Sequence, residues 1–466
     1  MMKRLFSHYI ADEVQPMLRL AIPIVMAELG WMFMGIVDTM MVGHQKESAV
    51  AIGAVSLASI LYYVVAIFGT GIMLGLDTLV SQSYGAGNLE DTHRSLVNGV
   101  YLSVGLTPIL MGLILLWVPL LGVFHIEKAV MNQVVPYLWA LNWGTLPLLL
   151  YFVFRRYLQG VNLAKPVMFS LMTANLVNFV GNWALIYGHW GFPAMGTTGS
   201  GWSTSIARVY MAGVLMAYAV YHDARHKTGL RRASRWPHFP RVWELLNLGF
   251  PAASQLGVEV GVFAVATTLI GRLGAVPLAS HQIAMNTVSF TYMVPLGIGS
   301  AAAVRVGHAL GRRDAHGASR AGWTAMALGA SFMGCMALVL WFAPEYIARI
   351  YTPDPTVIRT ASTLLFVGAF FQLFDGLQAV ATGALRGAGD TTTAMMCHLV
   401  CYWAVGLPLG WYLCFRRDFG AAGLWSGLCV ALILIGSTLL FAWRRKERSF
   451  AGIVIAETTL EKEFQV

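Results

Sequence analysis

Twelve stretches of this chain are apolar for about twenty residues or more, the length that crosses the hydrocarbon core of a bilayer as an α-helix. Hydrocarbon offers backbone N–H and C=O groups no partner, so such segments must close their hydrogen bonds internally as helices. The stretches cover residues 16–42, 49–82, 97–120, 133–155, 166–188, 200–222, 243–270, 276–308, 321–341, 358–383, 393–414 and 422–443. The second and eighth exceed what a bilayer needs and are expected to tilt or project beyond it. Charge is scarce along the whole length, 11% of 466 residues against about 25% in soluble domains. The chain is therefore read as an all-α, multi-pass membrane protein rather than a soluble domain with an anchor.

An even number of spans puts both termini on one side. The segment "HDARHKTGLRRASRWPHFPR" after the sixth span is strongly basic, and the tail begins "WRRKER". Roughly 23 of the 31 Lys and Arg fall on that side and about 7 on the other, so the termini and central loop are expected to be cytoplasmic. The same bias accounts for the net charge of +9, and no nucleic-acid partner is inferred. The loop's bases are read as orienting the chain and touching lipid phosphates. Five cysteines with no CxxC indicate neither a disulfide framework nor a zinc site. The first residues are read as carrying no cleaved signal peptide.

The chain repeats itself across the basic loop. "LAIPIVMAELGWMFMGIVDTMMVG" near the start aligns with "LGFPAASQLGVEVGVFAVATTLIG", matching Pro23 to Pro251, Gly43 to Gly271 and Trp31 to Glu259. "SQSYGAGNLEDTHR" parallels "RVGHALGRRDAHGASR", and "RRYLQGVNLAKP" parallels "TGALRGAGDTTT". Six spans per half make a parallel repeat, whose axis runs along the membrane normal. The expected division is an N-terminal lobe at 1–222, a basic linker at 223–242, a C-terminal lobe at 243–443 and a tail at 444–466. Two pseudo-symmetric six-helix lobes around a central cavity are the build of a transporter that rocks one lobe against the other.

Two carboxylates lie deep in apolar stretches, Glu259 and Asp375. A charge at the bilayer centre costs about 2.5–3.5 kcal/mol on insertion scales, so it marks a functional site by default. Glu259 follows Pro251 by eight residues, about 12 Å along a helix and near mid-bilayer. Gln378 stands one turn from Asp375 on the same face. Carboxylates from two helices suit Na⁺, and out of water they also hold protons more tightly. Asp38 falls in the outer half of the first span; Glu28 and Asp77 are further intramembrane acids. Glu28 is read as facing the cavity and drawing in cationic substrate. Trp31 is a candidate for stacking on flat cations. His281 is read as a structural hydrogen-bonding residue.

Several long motifs together resemble the multidrug and toxic compound extrusion (MATE) family, in its NorM-type branch of bacterial inner-membrane exporters. They are "IVDTMMVGH", "FPAASQLGVEVGVFA", "ASHQIAMN", "VPLGIGSAAAVRVGHALG" and "FQLFDGLQAVATGALRGAGD", in matching order over nearly the whole chain. The resemblance implies the MATE fold and antiport of organic cations against Na⁺ or H⁺. It matches Glu259 and Asp375 to the carboxylates that bind the coupling cation in the C-terminal lobe. Tyr292 matches an aromatic near that cation in some members. Asp38 matches the first-helix acid tied to proton coupling or drug binding. Asn178 and Asn182 match polar positions of the N-terminal lobe, and Asn182 stands where many proton-coupled relatives carry an acid.

The expected function is thus a secondary antiporter of drugs and dyes in the bacterial inner membrane, with Na⁺ or H⁺ as coupling ion, no cofactor, and a monomeric state. Its cavity residues are expected to include Asn178, Asn182, Gln378, Glu28 and Trp31. No HExxH, GxSxG or Walker A pattern is present, so an enzyme is not expected. The alternative reading is a lipid-carrier flippase of related fold.

Overall fold

A computed structural model describes residues 2–45, 48–123, 128–232, 234 and 236–463, without the side chains of 2–12, 120, 122–123 and 451–463. Every regular element among them is helical. The first half comprises α1 (Met2–Gly43), α2 (Ser48–Ile72), α3 (Gly75–Gly85), α4 (Leu89–Val123), α5 (Lys128–Trp143), α6 (Thr145–Gly160), α7 (Ala164–Tyr187) and α8 (Thr197–His226). The second comprises α9 (Phe239–Gly271), α10 (Ala275–Gly311), α11 (Ala315–Phe342), α12 (Pro344–Tyr351), α13 (Pro355–Gly387), α14 (Thr392–His398), α15 (Leu407–Phe415) and α16 (Gly420–Glu463).

Eleven helices are long and apolar enough to cross a membrane, and the bent pair α5–α6 counted as one span makes twelve, the number expected. That pair turns by 43° at Gly144. The span through α14 and α15 is interrupted differently, by a π-helical segment at Leu399–Gly406. Helix ends follow local chemistry. Asp314 caps α11 by accepting from Gly317 N at 2.7 Å, and Asp354 caps α13 by accepting from Thr356 N at 2.8 Å, with Pro355 opening the first turn. Gly188 closes α7 in the left-handed region at φ 77°.

The chain divides into two compact units. The N-terminal unit holds residues 26–84 and 88–253; the C-terminal unit holds 1–25, 85–87 and 254–466. The boundaries fall inside α1 and α9 because of what each end packs on. In the C-terminal unit Arg305 grips Glu13 with two hydrogen bonds of 3.0 and 2.8 Å, and Gly297 lies flat against Val25. In the N-terminal unit Gly249 abuts the Ile72 backbone and Gly71 abuts Ala253. Side chains such as Phe33, Ile60, Leu176 and Phe441 are more than half exposed along these helices. Contiguous apolar exposure on that scale belongs against lipid.

Inside the C-terminal unit, α10 and α13 approach until their backbones touch. A Cβ on Gly383 would stand 2.1 Å from Gly299 O, and one on Gly387 2.3 Å from Ala303 O. Lipid supplies no hydrophobic drive between helices, so such small-residue seams let dispersion and close packing hold them. Gly383→Leu is expected to cost at least about 1–3 kcal/mol by overpacking. Gly334→Ala meets open space and should hold or raise stability, since Ala favours a helix interior over Gly by about 1 kcal/mol. Thermal midpoints of the purified variants in detergent check both.

Candidate functional site

The C-terminal unit gathers its intramembrane acids into one polar cluster. Glu259 is placed by α9, Tyr292 by α10, and Asp375 and Gln378 by α13. Glu259 and Asp375 are 9% and 6% exposed. Gln378 Nε2 donates to Asp375 Oδ1 at 3.2 Å, and lies 3.5 Å from both Glu259 Oε1 and the Tyr292 hydroxyl. Tyr292 in turn donates to Glu259 Oε1 at 3.5 Å. The four sequence candidates of this half therefore stand together. Three further residues join them that sequence reasoning did not single out. Gln255, one turn before Glu259 on α9, donates to its Oε2 at 3.3 Å. His398 is fully buried; its Nδ1 donates to Ala394 O and its Nε2 lies 2.7 Å from Gln378 Oε1 and 4.0 Å from Glu259 Oε2. Tyr402 is also fully buried, its hydroxyl has no hydrogen-bond partner among the described residues, and its ring lies 5.9 Å from that of His398.

The π-helical segment explains part of this placement. It begins directly after His398, and Trp403 within it donates to Val258 O at 3.1 Å, beside Glu259. Such segments shift helical register and recur at functional sites. Neither carboxylate has an arginine or lysine within ion-pair distance among the described residues. His281 lies in the same unit, buried between Thr267 at 2.9 Å and the Trp425 indole N–H at 3.0 Å.

The N-terminal unit treats its acids differently. Asn182 Nδ2 donates to Asp38 Oδ1 at 2.6 Å and to Asn178 Oδ1 at 3.3 Å, and Thr204 donates to Asp38 Oδ2 at 3.1 Å. Glu28 is joined to Arg155, and Asp77 to Arg156 at 3.4 Å, all four side chains being buried. Glu28 thus has its own counter-charge in the protein. Trp31 stacks on Tyr151 at 6.1 Å and meets Phe152 edge-on at 5.9 Å. The sequence reading counted intramembrane acids and passed over the arginines. The signal was there in "YFVFRRYLQG" and "SIARVYMAG", where Arg155, Arg156 and Arg208 interrupt apolar runs.

A repeated all-helical membrane protein, each unit of which buries polar and charged groups among its spans, is built as a secondary transporter. The MatE family model matches the chain twice, at residues 23–184 and 251–412, beginning at the two prolines that align in the internal repeat. The chain belongs to this family of transporters and is not an enzyme. It is 37% identical over 447 residues to a probable multidrug resistance protein NorM of Mesorhizobium japonicum, covering 94% of this chain and 95% of that one. It is 34% identical over 456 residues to multidrug resistance protein PmpM of Pseudomonas aeruginosa, covering 95% and 93%. Among solved structures, the fold matches the eukaryotic MATE transporter AtDTX14 with a TM-score of 0.84 at 21% identity, over 96% of this chain and all of that one. It matches the Vibrio cholerae MATE transporter VcmN in its bent form with a TM-score of 0.81 at 18% identity, over 95% and 98%.

The Glu28–Arg155 pair generates a prediction. Removing one partner of a buried pair leaves an uncompensated charge, at about 3–5 kcal/mol, whereas an apolar pair of similar volume is often neutral. Arg155→Ala is expected to lower the unfolding midpoint sharply. Glu28→Leu combined with Arg155→Met should recover most of the loss. An Arg155→Ala protein as stable as wild type would contradict the pairing.

Proposed function

We propose that this transporter exports organic cations across the bacterial inner membrane in exchange for a coupling cation, Na⁺ or H⁺, taken up at Glu259 and Asp375. One observation carries the reading. In the N-terminal unit Glu28 and Asp77 are each paired with an arginine, while the two acids of the C-terminal unit share only amide and phenol partners and one histidine. Buried carboxylates need a counter-charge; the protein brings these two no arginine or lysine, only the His398 ring 4.0 Å from Glu259, and we read an exchangeable cation as completing the balance. The donor set fits a hard cation. Carboxylate oxygens come from two helices, Tyr292 adds a phenol oxygen, and the orphaned Tyr402 hydroxyl adds a lone pair that nothing in the protein uses. Support for drug-like substrates comes from the relatives, which are named multidrug resistance proteins.

Exchange follows from differential binding. A ligand equal in two conformations shifts nothing, so the cation at Glu259 and Asp375 must favour an arrangement that holds substrate poorly. The ion enters from outside, neutralises the pair and releases substrate outward, and the emptied carrier resets. The basic loop and tail support a cytoplasmic position for both termini by the positive-inside rule.

The test is ethidium movement in proteoliposomes under an imposed Na⁺ gradient and then a pH gradient. Glu259→Gln and Asp375→Asn are each expected to cut gradient-driven transport by at least about tenfold, the scale of 1.4 kcal/mol or more in coupling. Na⁺-driven transport lost in both variants identifies the ion. Proton-driven transport alone assigns the same pair to H⁺. Transport unaffected by either substitution overturns the proposal.

A further inference from the structure

Arg208 is the least explained charge in the N-terminal unit. It sits on α8 and is 1% exposed. Only Nη1 is used: it donates to the Tyr62 hydroxyl at 2.8 Å and to Leu141 O at 3.4 Å. Its Nε and Nη2 have no hydrogen-bond partner. The guanidinium also lies 4.7 Å from the centre of the Tyr62 ring, a cation–π contact. Arginine does not lose its charge in proteins, so this is a permanent buried cation without an ion pair.

Its anchoring is structural. At the break at Gly144 between α5 and α6, Gly144 N bonds Leu141 O at 2.9 Å in place of Ala140 O, and α8 contacts both carbonyls. Ser205 donates to Ala140 O at 2.6 Å, and Arg208 donates to Leu141 O. Gly144 makes the room, because a Cβ there would stand 2.6 Å from Ser205 Oγ and 3.0 Å from Arg208 Nη1. The cation is thereby pinned to the broken span and cannot exchange.

The acid it faces is Asp38. Thr204, which donates to Asp38, lies one turn before Arg208 on the same face of α8. Arg208 and the Asp38 carboxylate thus both adjoin Thr204 on that face, with no direct ion pair between them among the described residues. Around Asp38 stand the oxygens of Asn178, Asn182 and Thr204, and Asn182 Oδ1 is buried without a partner. Asp38 is held by an amide N–H and a hydroxyl, and these side chains carry oxygens that could turn to an alkali cation, yet a positive charge is already built in nearby.

We propose that Arg208 is the resident counter-charge of Asp38: it fills in the N-terminal unit the role that an ion from solution fills in the C-terminal unit, and so leaves the transporter one exchangeable cation per chain, for which Na⁺ is the probe. Arg208 is on this account a specificity-determining residue. The inference rests on the assignment of the exchangeable cation to Glu259 and Asp375, and the test separates the two.

Binding of ²²Na⁺ to the purified full-length protein is the readout, with the Na⁺-induced rise in thermal midpoint beside it. Glu259→Gln/Asp375→Asn is expected to lose Na⁺ binding. Adding Arg208→Gln to that background should restore a Na⁺ response, by about tenfold or more in affinity, and a further Asp38→Asn should abolish it. Arg208→Lys, which keeps the charge, should restore nothing. Loss of binding in the double variant with no recovery on Arg208→Gln overturns this inference and leaves the C-terminal site standing. Binding retained in the double variant and abolished by Asp38→Asn overturns both. Should Arg208→Gln fail to fold, Asp38→Asn alone decides: Na⁺ affinity within about twofold of wild type is expected, and a tenfold loss overturns the proposal.

Discussion

A bilayer core supplies neither hydrogen bonds nor counter-ions, and the internal arrangement of this protein answers to that shortage. Each freed backbone carbonyl and each buried charge must find its partner inside the protein or take one from solution. The break at Gly144 is tolerated because Ser205 and Arg208 cover carbonyls on its N-terminal side. The π-helical segment at Leu399–Gly406 is tolerated within the unit that buries His398 and Tyr402.

The same shortage makes the two repeated units chemically unlike. Residues that align in the sequence take opposite parts: Trp31 of the N-terminal half stacks on Tyr151, while its counterpart Glu259 enters a cluster of amides, phenols and carboxylates. The N-terminal unit neutralises Glu28 and Asp77 with arginines of α6, consecutive residues that reach two different helices. The C-terminal unit brings no arginine to Glu259 or Asp375 and leaves the Tyr402 hydroxyl without a partner. One unit pairs Glu28 and Asp77 with arginines, and the other leaves Glu259 and Asp375 among amides, phenols and one histidine. A carrier that must bind and release a cation needs that difference, because a site satisfied from within has no reason to take one up.

Small residues set how closely the helices carrying these groups can approach. Gly383 and Gly387 of α13 lie on the backbone of α10 at Gly299 and Ala303. The seam fixes Asp375 and Gln378 relative to Tyr292, since all three ride on the same two helices. Side-chain geometry at the cluster is therefore inherited from backbone contact, which hydrocarbon surroundings favour in place of hydrophobic burial.

Apolar length alone determined the helices, their number and the repeat, because a span must be about twenty residues and a parallel repeat must share its register. Proline and glycine spacing aligned the halves, and two acids amid apolar residues marked Glu259 and Asp375. Tertiary structure decided the rest. Nothing in spacing brings His398 to Glu259, since that meeting depends on the packing of α14 beside α9; Gln255 lies one turn from Glu259 and was legible from spacing. Nothing local pairs Arg155 with Glu28 across 127 positions. The interruptions at Gly144 and after His398 were invisible to hydropathy, which averages over a window and cannot see a bend. Composition fixes which segments enter the membrane, but which charges neutralise one another there is a property of contact between helices, and only the fold supplies it.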